Sequence, residues 1–314
     1  MYINSIGCYI PEGRIDNDYF LNVNGLTSEW ILKRTGIQTR SKAGENEGHN
    51  SMGLNAVEDA LKKLPYDIRN VNLIVSAAYS VYDSVATLAH ETQKKYEIDG
   101  AIAVYASSAC SSFVNGLEII EGYFASGKAD KALLICSEHN TYYCNESDPK
   151  CGHLWGDGAV AMFVSKNKIS ESDVKIKSIY TCGLGNIGKG PEGVKLRPRE
   201  DGITMPDGRD VFIHACKYLI TALDKSTSMD GLKIEDLDFI ITHQANMRIV
   251  AQVAQQLDLP ENKFLNNIQE LGNTGSASAA IVLAQNWDRF KPGDKVGLTV
   301  FGGGYSCGAF TIEF

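Results

Sequence analysis

The sequence predicts a layered α/β protein made of two similar halves. Short apolar runs bounded by glycine or polar residues alternate along the chain with segments whose apolar residues recur at helical spacing. The alternation restarts near Ser165, so the second half repeats the organisation of the first, although no sequence repeat is detectable. A length of 314 residues leaves room for two domains of ordinary size. We expect these to be residues 1–165 and 166–314.

Four apolar runs in the first half predict buried strands. They cover residues 72–79, 101–106, 131–138 and 158–165. Between the second and third runs, an apolar helical pattern starts at Phe113 and is expected to end at Gly127.

The second half shows the same kinds of element. Strands are predicted over 174–181 and 237–242, and helices over 209–224, 245–257 and 276–290. Two final strands meet at a glycine corner. Residues 183–210 are rich in glycine, proline and charge, and are predicted to form a surface loop or lid.

Composition excludes several classes of protein. Hydrophobic residues make up 44% of the chain and charged residues 22%, as in a globular protein, and a net charge of −8 argues against a general nucleic-acid surface. No apolar stretch is long enough to span a bilayer, and the first residues lack the pattern of a secretory signal, so no membrane or nucleic-acid partner is expected.

Eight cysteines are scattered through the chain, which indicates a reducing compartment and a cytoplasmic location. Four residues, His139, Cys144, Cys151 and His153, are close enough in sequence to be considered as a metal site. Their spacing fits none of the usual zinc patterns, so no metal is expected.

Cys110 lies in the stretch ASSACSSFVNG, between a predicted strand and a predicted helix. At the N-terminus of a helix, the helix dipole and free N–H groups favour a thiolate, and small neighbours leave room for a substrate carbonyl. This geometry suits a nucleophile. The alternative is a small buried residue where chain segments pack closely.

Three further stretches contain candidate site residues. His243, in FIITHQANMRIV, follows a buried strand and is expected to be neutral, although a structural histidine would fit as well. Asn273 lies between Gly272 and Gly275 on a tight turn, where asparagine is common for structural reasons. Residues 302–304 are consecutive glycines that suit either an oxyanion-hole amide or a plain chain corner.

Taken together, these motifs identify a family. ACSSF, GDGAVA, THQANMRI, LGNTGSAS and FGGGYSCGAF, with TSEWILKRTGIQTR near the N-terminus, resemble the motif set of β-ketoacyl-acyl-carrier-protein synthase III, in the thiolase superfamily. The resemblance runs from Ile3 to Phe314. It implies a homodimer with a thiolase-like fold, in which two α/β halves form five layers in the order α-β-α-β-α.

The resemblance also implies the catalytic residues. Cys110 would be the acylated nucleophile, and His243 and Asn273 would face the second substrate. Gly303 would share an oxyanion hole with the amide of Cys110. Loss of CO₂ from a malonyl thioester leaves an enolate, whose oxygen needs the hydrogen-bond donors that a neutral histidine and an asparagine supply. No cofactor is implied beyond coenzyme A as part of the thioester substrate.

Substrate-binding residues follow from the same resemblance. Trp30 and Arg34 match positions that sandwich the adenine of coenzyme A. Phe212 matches an aromatic residue beside the catalytic pocket, and Asn246 matches a pantetheine contact. Arg248 opens the helix that would receive the acidic acyl carrier protein.

This chain departs from the family pattern at several positions. Ser112 stands where glycine is usual, which is expected to reshape the tunnel beside the thiol. Ser84 stands where phenylalanine often lines the partner's acyl pocket, so a longer acyl donor than acetyl is expected. Gln255 and Gln256 replace basic residues of the docking helix. These departures favour a specialised enzyme of secondary metabolism over the initiator of fatty acid synthesis.

Other functions stay open at this stage. The chain could pass its acyl group to an alcohol or amine without decarboxylation, although relatives of that kind often replace the asparagine with an acidic residue. A hydroxymethylglutaryl-type condensation would need a catalytic glutamate that cannot be identified. A cysteine hydrolase would lack the THQAN and FGGG motifs. A non-catalytic scaffold would not need the set Cys110, His243 and Asn273.

Overall fold

Two five-stranded sheets form the centre of the structure, a computed structural model that describes residues 1–314. The elements of the first half are β1 Tyr2–Tyr9, β2 Gly13–Asp16, α1 Tyr19–Asn24, α2 Ser28–Thr35, β3 Thr39–Lys42, α3 His49–Leu61, β4 Leu73–Ala77, α4 Leu88–Lys95, β5 Ile102–Ala106, α5 Ser112–Ala125, β6 Lys131–His139, α6 Asn140–Tyr143 and β7 Asp157–Ser165. Those of the second half are β8 Val174–Gly183, β9 Lys195–Arg197, β10 Gly202–Thr204, α7 Gly208–Met229, β11 Phe239–Thr242, α8 Met247–Leu257, β12 Phe264–Leu265, α9 Ile268–Leu271, α10 Ser278–Gln285, β13 Lys295–Gly302 and β14 Ser306–Glu313.

The two sheets have the same strand order. The first runs β5-β4-β6-β7-β1 and the second β12-β11-β13-β14-β8. In each sheet the first three strands are parallel and the next two antiparallel. A short antiparallel pairing of Tyr2 with Lys175 and Ile3 with Val174 joins the sheets through β1 and β8. The expectation of two similar α/β halves is therefore confirmed.

Helices fill the space between the sheets and cover their outer faces. The central helix α5 contacts β4 and β6 of one sheet and β8 and β14 of the other, and α10 likewise contacts strands of both. On the outside, α3 and α4 pack on the first sheet, and α7 packs on the second and carries α8. The predicted five-layered α-β-α-β-α arrangement is thus present. Apolar residues of α5 such as Leu117 and Ile120 are fully buried because this helix has a sheet on either side.

Two segments differ from their sequence-based predictions. The helix predicted over 276–290 is α10 flanked by 3₁₀ turns at Gly275–Ala277 and Trp287–Arg289. Asn286 is the C-terminal cap of α10, and both its backbone N–H and its side-chain amide donate to the carbonyl of Val282. The predicted loop 183–210 contains the β9–β10 hairpin. The β2–β3 hairpin was not predicted, since its short strands, GRID and TRSK, have little apolar alternation.

No helix in the structure combines the length and the apolar character needed to cross a membrane.

Candidate active site

Cys110, His243 and Asn273 come together because the two halves place equivalent turns side by side. Cys110 precedes the central helix α5, Asn273 precedes its counterpart α10, and His243 directly follows β11. All three line one cavity of about 100 Å³. Their exposed fractions are only 8%, 6% and 4%, so the cavity withdraws them from bulk water.

The turn that presents Cys110 is strained and tightly fastened. Ala109 has a φ of +50°, in the left-handed region that residues other than glycine seldom adopt. The Ser112 hydroxyl accepts from the N–H of Ser108 at 2.9 Å and donates to the carbonyl of Ala109 at 2.6 Å. Ser112 therefore closes the turn behind the nucleophile and does not line the cavity, contrary to the expectation that it would reshape the tunnel.

The thiol of Cys110 is in an environment that disfavours its charge. Burial, with the nearby Glu138 carboxylate, raises the pKa of Cys110 to about 12. The backbone N–H groups of Gly303 and of Cys110 itself favour the ionised sulfur and so lower the pKa in part. Gly302 allows the glycine corner to approach this closely, because a Cβ there would lie 2.7 Å from the carbonyl oxygen of Ser108.

His243 is held by a serine that the sequence analysis did not single out. Its Nδ1 lies 2.7 Å from the hydroxyl oxygen of Ser278, at the first position of α10. That oxygen also accepts from the N–H of Gln244 at 3.3 Å. Burial lowers the pKa of His243 to about 4, so the imidazole is neutral at physiological pH.

Asn273 is fixed through both its backbone and its side chain. Its N–H donates to the carbonyl of Leu154 at 2.8 Å, and its carbonyl accepts from the N–H of Gly156 at 3.0 Å. The side-chain oxygen Oδ1 accepts from the N–H of Gly275 at 3.0 Å. Because Oδ1 is occupied in this way, the amide NH₂ is the group left to bind a ligand in the cavity.

Phe212 and Asn246 line the same cavity, whereas Arg248 is not among its lining residues. The guanidinium of Arg248 is 5.7 Å from the centre of the Phe212 ring. Asn246 caps α8 by accepting from the N–H of Arg248 at 2.8 Å, and its amide donates to the carbonyl of Arg34 at 3.2 Å. Asn246 thereby ties α2 to the wall of the cavity.

Trp30 and Arg34 contact each other on the exposed side of α2. The guanidinium carbon of Arg34 is 5.3 Å from the centre of the Trp30 ring, a cation–π contact. An adenine stacked between the Trp30 ring and the Arg34 guanidinium needs a separation of roughly two stacking distances between these groups, which is more than the present one. Arg34 must therefore move away from Trp30 before the predicted sandwich can form.

A second cavity, of about 90 Å³, opens on another side of Cys110. We call it the acyl-side cavity; it is mainly apolar, and its lining includes Tyr79, Ala109, Cys110, Trp155, Val194, Leu196 and Ile203. The segment 183–210 supplies part of this wall and part of the first cavity, so it covers the site as a lid would. Ser84 is exposed and lines neither cavity of its own chain.

Three parts of the site were not predicted from the sequence: Ser278, Tyr79 and the apolar residues of the 183–210 segment. The only signal for Ser278 was its place in the GSAS stretch of small residues before an apolar helix. Tyr79 gave no signal, because it ends an apolar strand like many tyrosines. The suggested cluster of His139, Cys144, Cys151 and His153 does not assemble, and no group of three or more His, Cys, Asp or Glu side chains is placed to hold a metal.

Comparison with known proteins places these features in a family. The model of "3-Oxoacyl-[acyl-carrier-protein (ACP)] synthase III" matches residues 106–181, which include Cys110. The model of the C-terminal part of the same enzyme matches residues 228–314, which include His243 and Asn273.

Individual relatives match along the whole chain. The β-ketoacyl-[acyl-carrier-protein] synthase III of Nitratidesulfovibrio vulgaris is 30% identical, covering 99% of this chain and 98% of the relative. The crystal structure of 3-oxoacyl-[acyl-carrier-protein] synthase III from Aquifex aeolicus is 30% identical and superposes with a TM-score of 0.91, covering 100% of this chain and 99% of that one. The priming β-ketosynthase of the R1128 polyketide biosynthetic pathway is 25% identical, with a TM-score of 0.89 and coverage of 99% and 95%.

Proposed function

This chain belongs to the 3-oxoacyl-[acyl-carrier-protein] synthase III family, and we propose that it condenses an acyl thioester with a malonyl thioester through an acyl-Cys110 intermediate. One observation carries the proposal: Cys110, His243 and Asn273 line a single buried cavity. A nucleophile and two neutral hydrogen-bond donors are the groups that this two-step reaction needs.

In the first step the sulfur of Cys110 attacks the carbonyl carbon of acyl-coenzyme A. A carbon–sulfur bond to Cys110 forms, the bond to coenzyme A breaks, and the released thiolate takes up the proton that the Cys110 thiol gave up. The N–H groups of Cys110 and Gly303 hold the oxyanion of the tetrahedral intermediate. Cys110 and Gly303 line both cavities that meet at the sulfur, which supports this role.

In the second step a malonyl thioester loses CO₂, and the electron pair of the broken carbon–carbon bond moves into an enolate. We assign the enolate oxygen to Nε2–H of His243 and the amide of Asn273. The Ser278 oxygen already accepts from the N–H of Gln244, so we assign its hydroxyl as the donor to Nδ1, which puts the proton of the neutral ring on Nε2. The carbanion then attacks the acyl-Cys110 carbonyl, Cys110 leaves as a thiolate and is reprotonated from solvent, and a β-ketoacyl thioester is released.

Asn273 favours decarboxylation over the alternative reaction classes. An amide cannot accept a proton as a general base, so it suits an enolate that forms by loss of CO₂ rather than by deprotonation. Transfer of the acyl group to an alcohol or amine would need a base near the acceptor. His243 is the only titratable side chain besides Cys110 among the residues that line the first cavity. With its proton on Nε2, as assigned above, His243 is a donor towards the substrate and not a base.

Substrate binding is proposed from the groups at the cavity mouth. Trp30 and Arg34 would take the adenine of coenzyme A, and Phe212 and Asn246 would contact the pantetheine arm. A malonyl group on acyl carrier protein would approach the start of α8 at Arg248. The exposed Gln255 and Gln256 give the rest of α8 no positive charge, so docking would depend on fewer ion pairs than in basic relatives.

We also propose a cytoplasmic homodimer that needs no metal or prosthetic group. The edge strand β5 supports a dimer, since its apolar residues IAVYA are only half buried in the single chain. In the loop that contains Ser84, Tyr82 is 75% and Val85 83% exposed, as expected of side chains that a partner covers.

The eight cysteines are all free, which suits a reducing compartment. The division into residues 1–165 and 166–314 is likewise proposed, and β7 ends at Ser165.

The test is to follow both half-reactions by mass spectrometry of the protein and its products. With acyl-coenzyme A and malonyl-acyl carrier protein or malonyl-coenzyme A, the wild type should release CO₂ and form a β-ketoacyl thioester. His243→Ala and Asn273→Ala should still become acylated but should decarboxylate malonyl thioester roughly 100-fold more slowly. Equal loss of both half-reactions, or acyl transfer to an alcohol or amine without CO₂, would contradict the proposal.

A further inference from the structure

Tyr79 carries a buried hydroxyl group that has no hydrogen-bond partner. The residue follows β4, and its side chain lines the acyl-side cavity together with Cys110. The hydroxyl oxygen is shielded from solvent without a bond to any protein atom. Buried polar groups are nearly always paired. An unpaired hydroxyl beside the sulfur of Cys110 therefore indicates a partner that forms during the reaction, such as the ionised sulfur.

The neighbouring turn keeps space for this hydroxyl. Gly275, two residues after Asn273, has a φ of +60°, and a Cβ there would lie 2.5 Å from the Tyr79 hydroxyl oxygen. The hydroxyl is therefore held between the Asn273 turn and the Cys110 turn. It has two candidate acceptors, the sulfur of Cys110 and the side-chain oxygen of Asn140, which is also unpaired.

The electrostatics of the site favour the sulfur as acceptor. A hydrogen bond to an ionised acceptor is about twice as strong as one to a neutral amide. The ionisable groups around the sulfur are Glu138 from β6, the neutral His243 after β11, and Lys195 on the lining of the acyl-side cavity. Lys195 is paired with Glu192 at 2.6 Å. Burial raises the pKa of Glu138 to about 7, so above neutral pH its carboxylate disfavours a thiolate, and a neutral donor is the kind of group that favours one.

We propose that the Tyr79 hydroxyl donates a hydrogen bond to the sulfur of Cys110 as the thiolate forms, which makes Tyr79 a further catalytic residue of the acylation step. The inference rests on the proposed function in so far as Cys110 is the nucleophile. Tyr79 stays protonated throughout, and the proton lost by Cys110 ends on the departing coenzyme A thiolate. The hydroxyl thus serves as a third donor beside the N–H groups of Cys110 and Gly303.

The experiment measures the rate at which iodoacetamide alkylates Cys110 between pH 6 and 10, with peptide mapping to separate the eight cysteines. Tyr79→Phe keeps the ring and removes the hydroxyl. It should slow alkylation and self-acylation about tenfold at neutral pH and move the alkylation profile to higher pH by about one unit, as expected for loss of one charge-assisted bond. Tyr79→Met, a second variant without the hydroxyl, should show the same change.

Tyr105→Phe is the matched control. Tyr105 is on the adjacent strand β5, its hydroxyl donates to the carbonyl of Ala78 at 3.0 Å, and it lines neither cavity around the sulfur. This variant should alkylate like the wild type.

The possible outcomes separate the two proposals. If Cys110 of the wild type is neither acylated nor alkylated, the proposed function fails. If the wild type reacts and both Tyr79 variants match it, the role of Tyr79 is wrong. If Tyr79→Phe alkylates normally but condenses slowly, the hydroxyl serves Asn140, whose amide donates to the carbonyl of Asn273 at 3.2 Å, and the inference is likewise overturned.

Discussion

The hydroxyl oxygen of Ser278 lies 2.7 Å from Nδ1 of His243, which links the start of the central helix α10 to the end of strand β11. Neither residue is near the other in sequence. The contact gives the buried imidazole a defined orientation and leaves its other nitrogen free to bind an enolate oxygen.

Ser278→Ala should impair condensation selectively. Loss of one neutral hydrogen bond is worth about 1 kcal/mol, so the rate of malonyl decarboxylation should fall roughly five- to tenfold. Self-acylation of Cys110 should be unchanged, because we assign His243 to the condensation step. The two rates can be measured separately by CO₂ release and by intact-protein mass. A parallel fall in both would mean that Ser278 only maintains the fold.

Arg34→Ala should weaken binding of the acyl-coenzyme A donor. Adenine binding is the same in the ground state and the transition state, so KM should rise several-fold while kcat stays nearly constant. A donor without the nucleotide, such as an acyl-pantetheine, is the control and should show no difference between wild type and variant. Unchanged KM for the coenzyme A donor would remove Arg34 from the adenine site.

Ser84→Phe should narrow the choice of acyl donor. Because Ser84 is exposed in the single chain, its effect must act across a dimer interface. Each buried methylene is worth about 0.8 kcal/mol, so wild type should prefer a donor longer by three or four carbons over acetyl by on the order of 100-fold. The variant should lose this preference in donor competition assays and keep acetyl transfer. If the wild type already prefers acetyl, Ser84 does not enlarge the acyl pocket, and Tyr82, two residues away, would be the residue that takes the place of the usual aromatic side chain.

Three buried histidines should make the protein sensitive to acid. Burial lowers the pKa of His49, His153 and His243 to about 4, below the value of about 6.5 in an unfolded chain. Between these values the unfolded state binds more protons at these three residues, so their contribution to the free energy of unfolding falls as the pH drops from 6.5 towards 4. Burial raises the pKa of Glu138 to about 7, which offsets the contribution of one histidine in part of this range. Each histidine contributes up to about 1.4 kcal/mol per pH unit.

Urea unfolding at several pH values measures this slope. His153→Phe removes one titrating group, so the slope should fall by up to about 1.4 kcal/mol per pH unit. Phenylalanine is chosen because its ring can keep the contacts with Phe20 and Trp30. If His153→Phe has the same slope as wild type, His153 does not titrate as its burial implies.

Much of the fold follows from local patterns. Buried strands such as β6 and β7 are continuous apolar runs. The central helix α5 has apolar residues at helical spacing, and Gly127, with a left-handed backbone conformation, follows its C-terminal end. Short polar elements such as the β2–β3 hairpin lack this signal, because contacts from distant segments stabilise them. Cys110, His243 and Asn273 were predicted from their motifs, whereas Ser278 and Tyr79 became evident only when the fold brought distant turns together.

The formation of an acyl adduct on Cys110 tests the central claim most directly. Intact-protein mass spectrometry after incubation with a panel of acyl-coenzyme A thioesters should show one added acyl group, mapped by peptide analysis to Cys110 among the eight cysteines. Cys110→Ser should show no adduct, because a buried hydroxyl without an adjacent base is a poor nucleophile. An adduct of the same mass on Cys110→Ser, or on another cysteine of the wild type, would contradict the account.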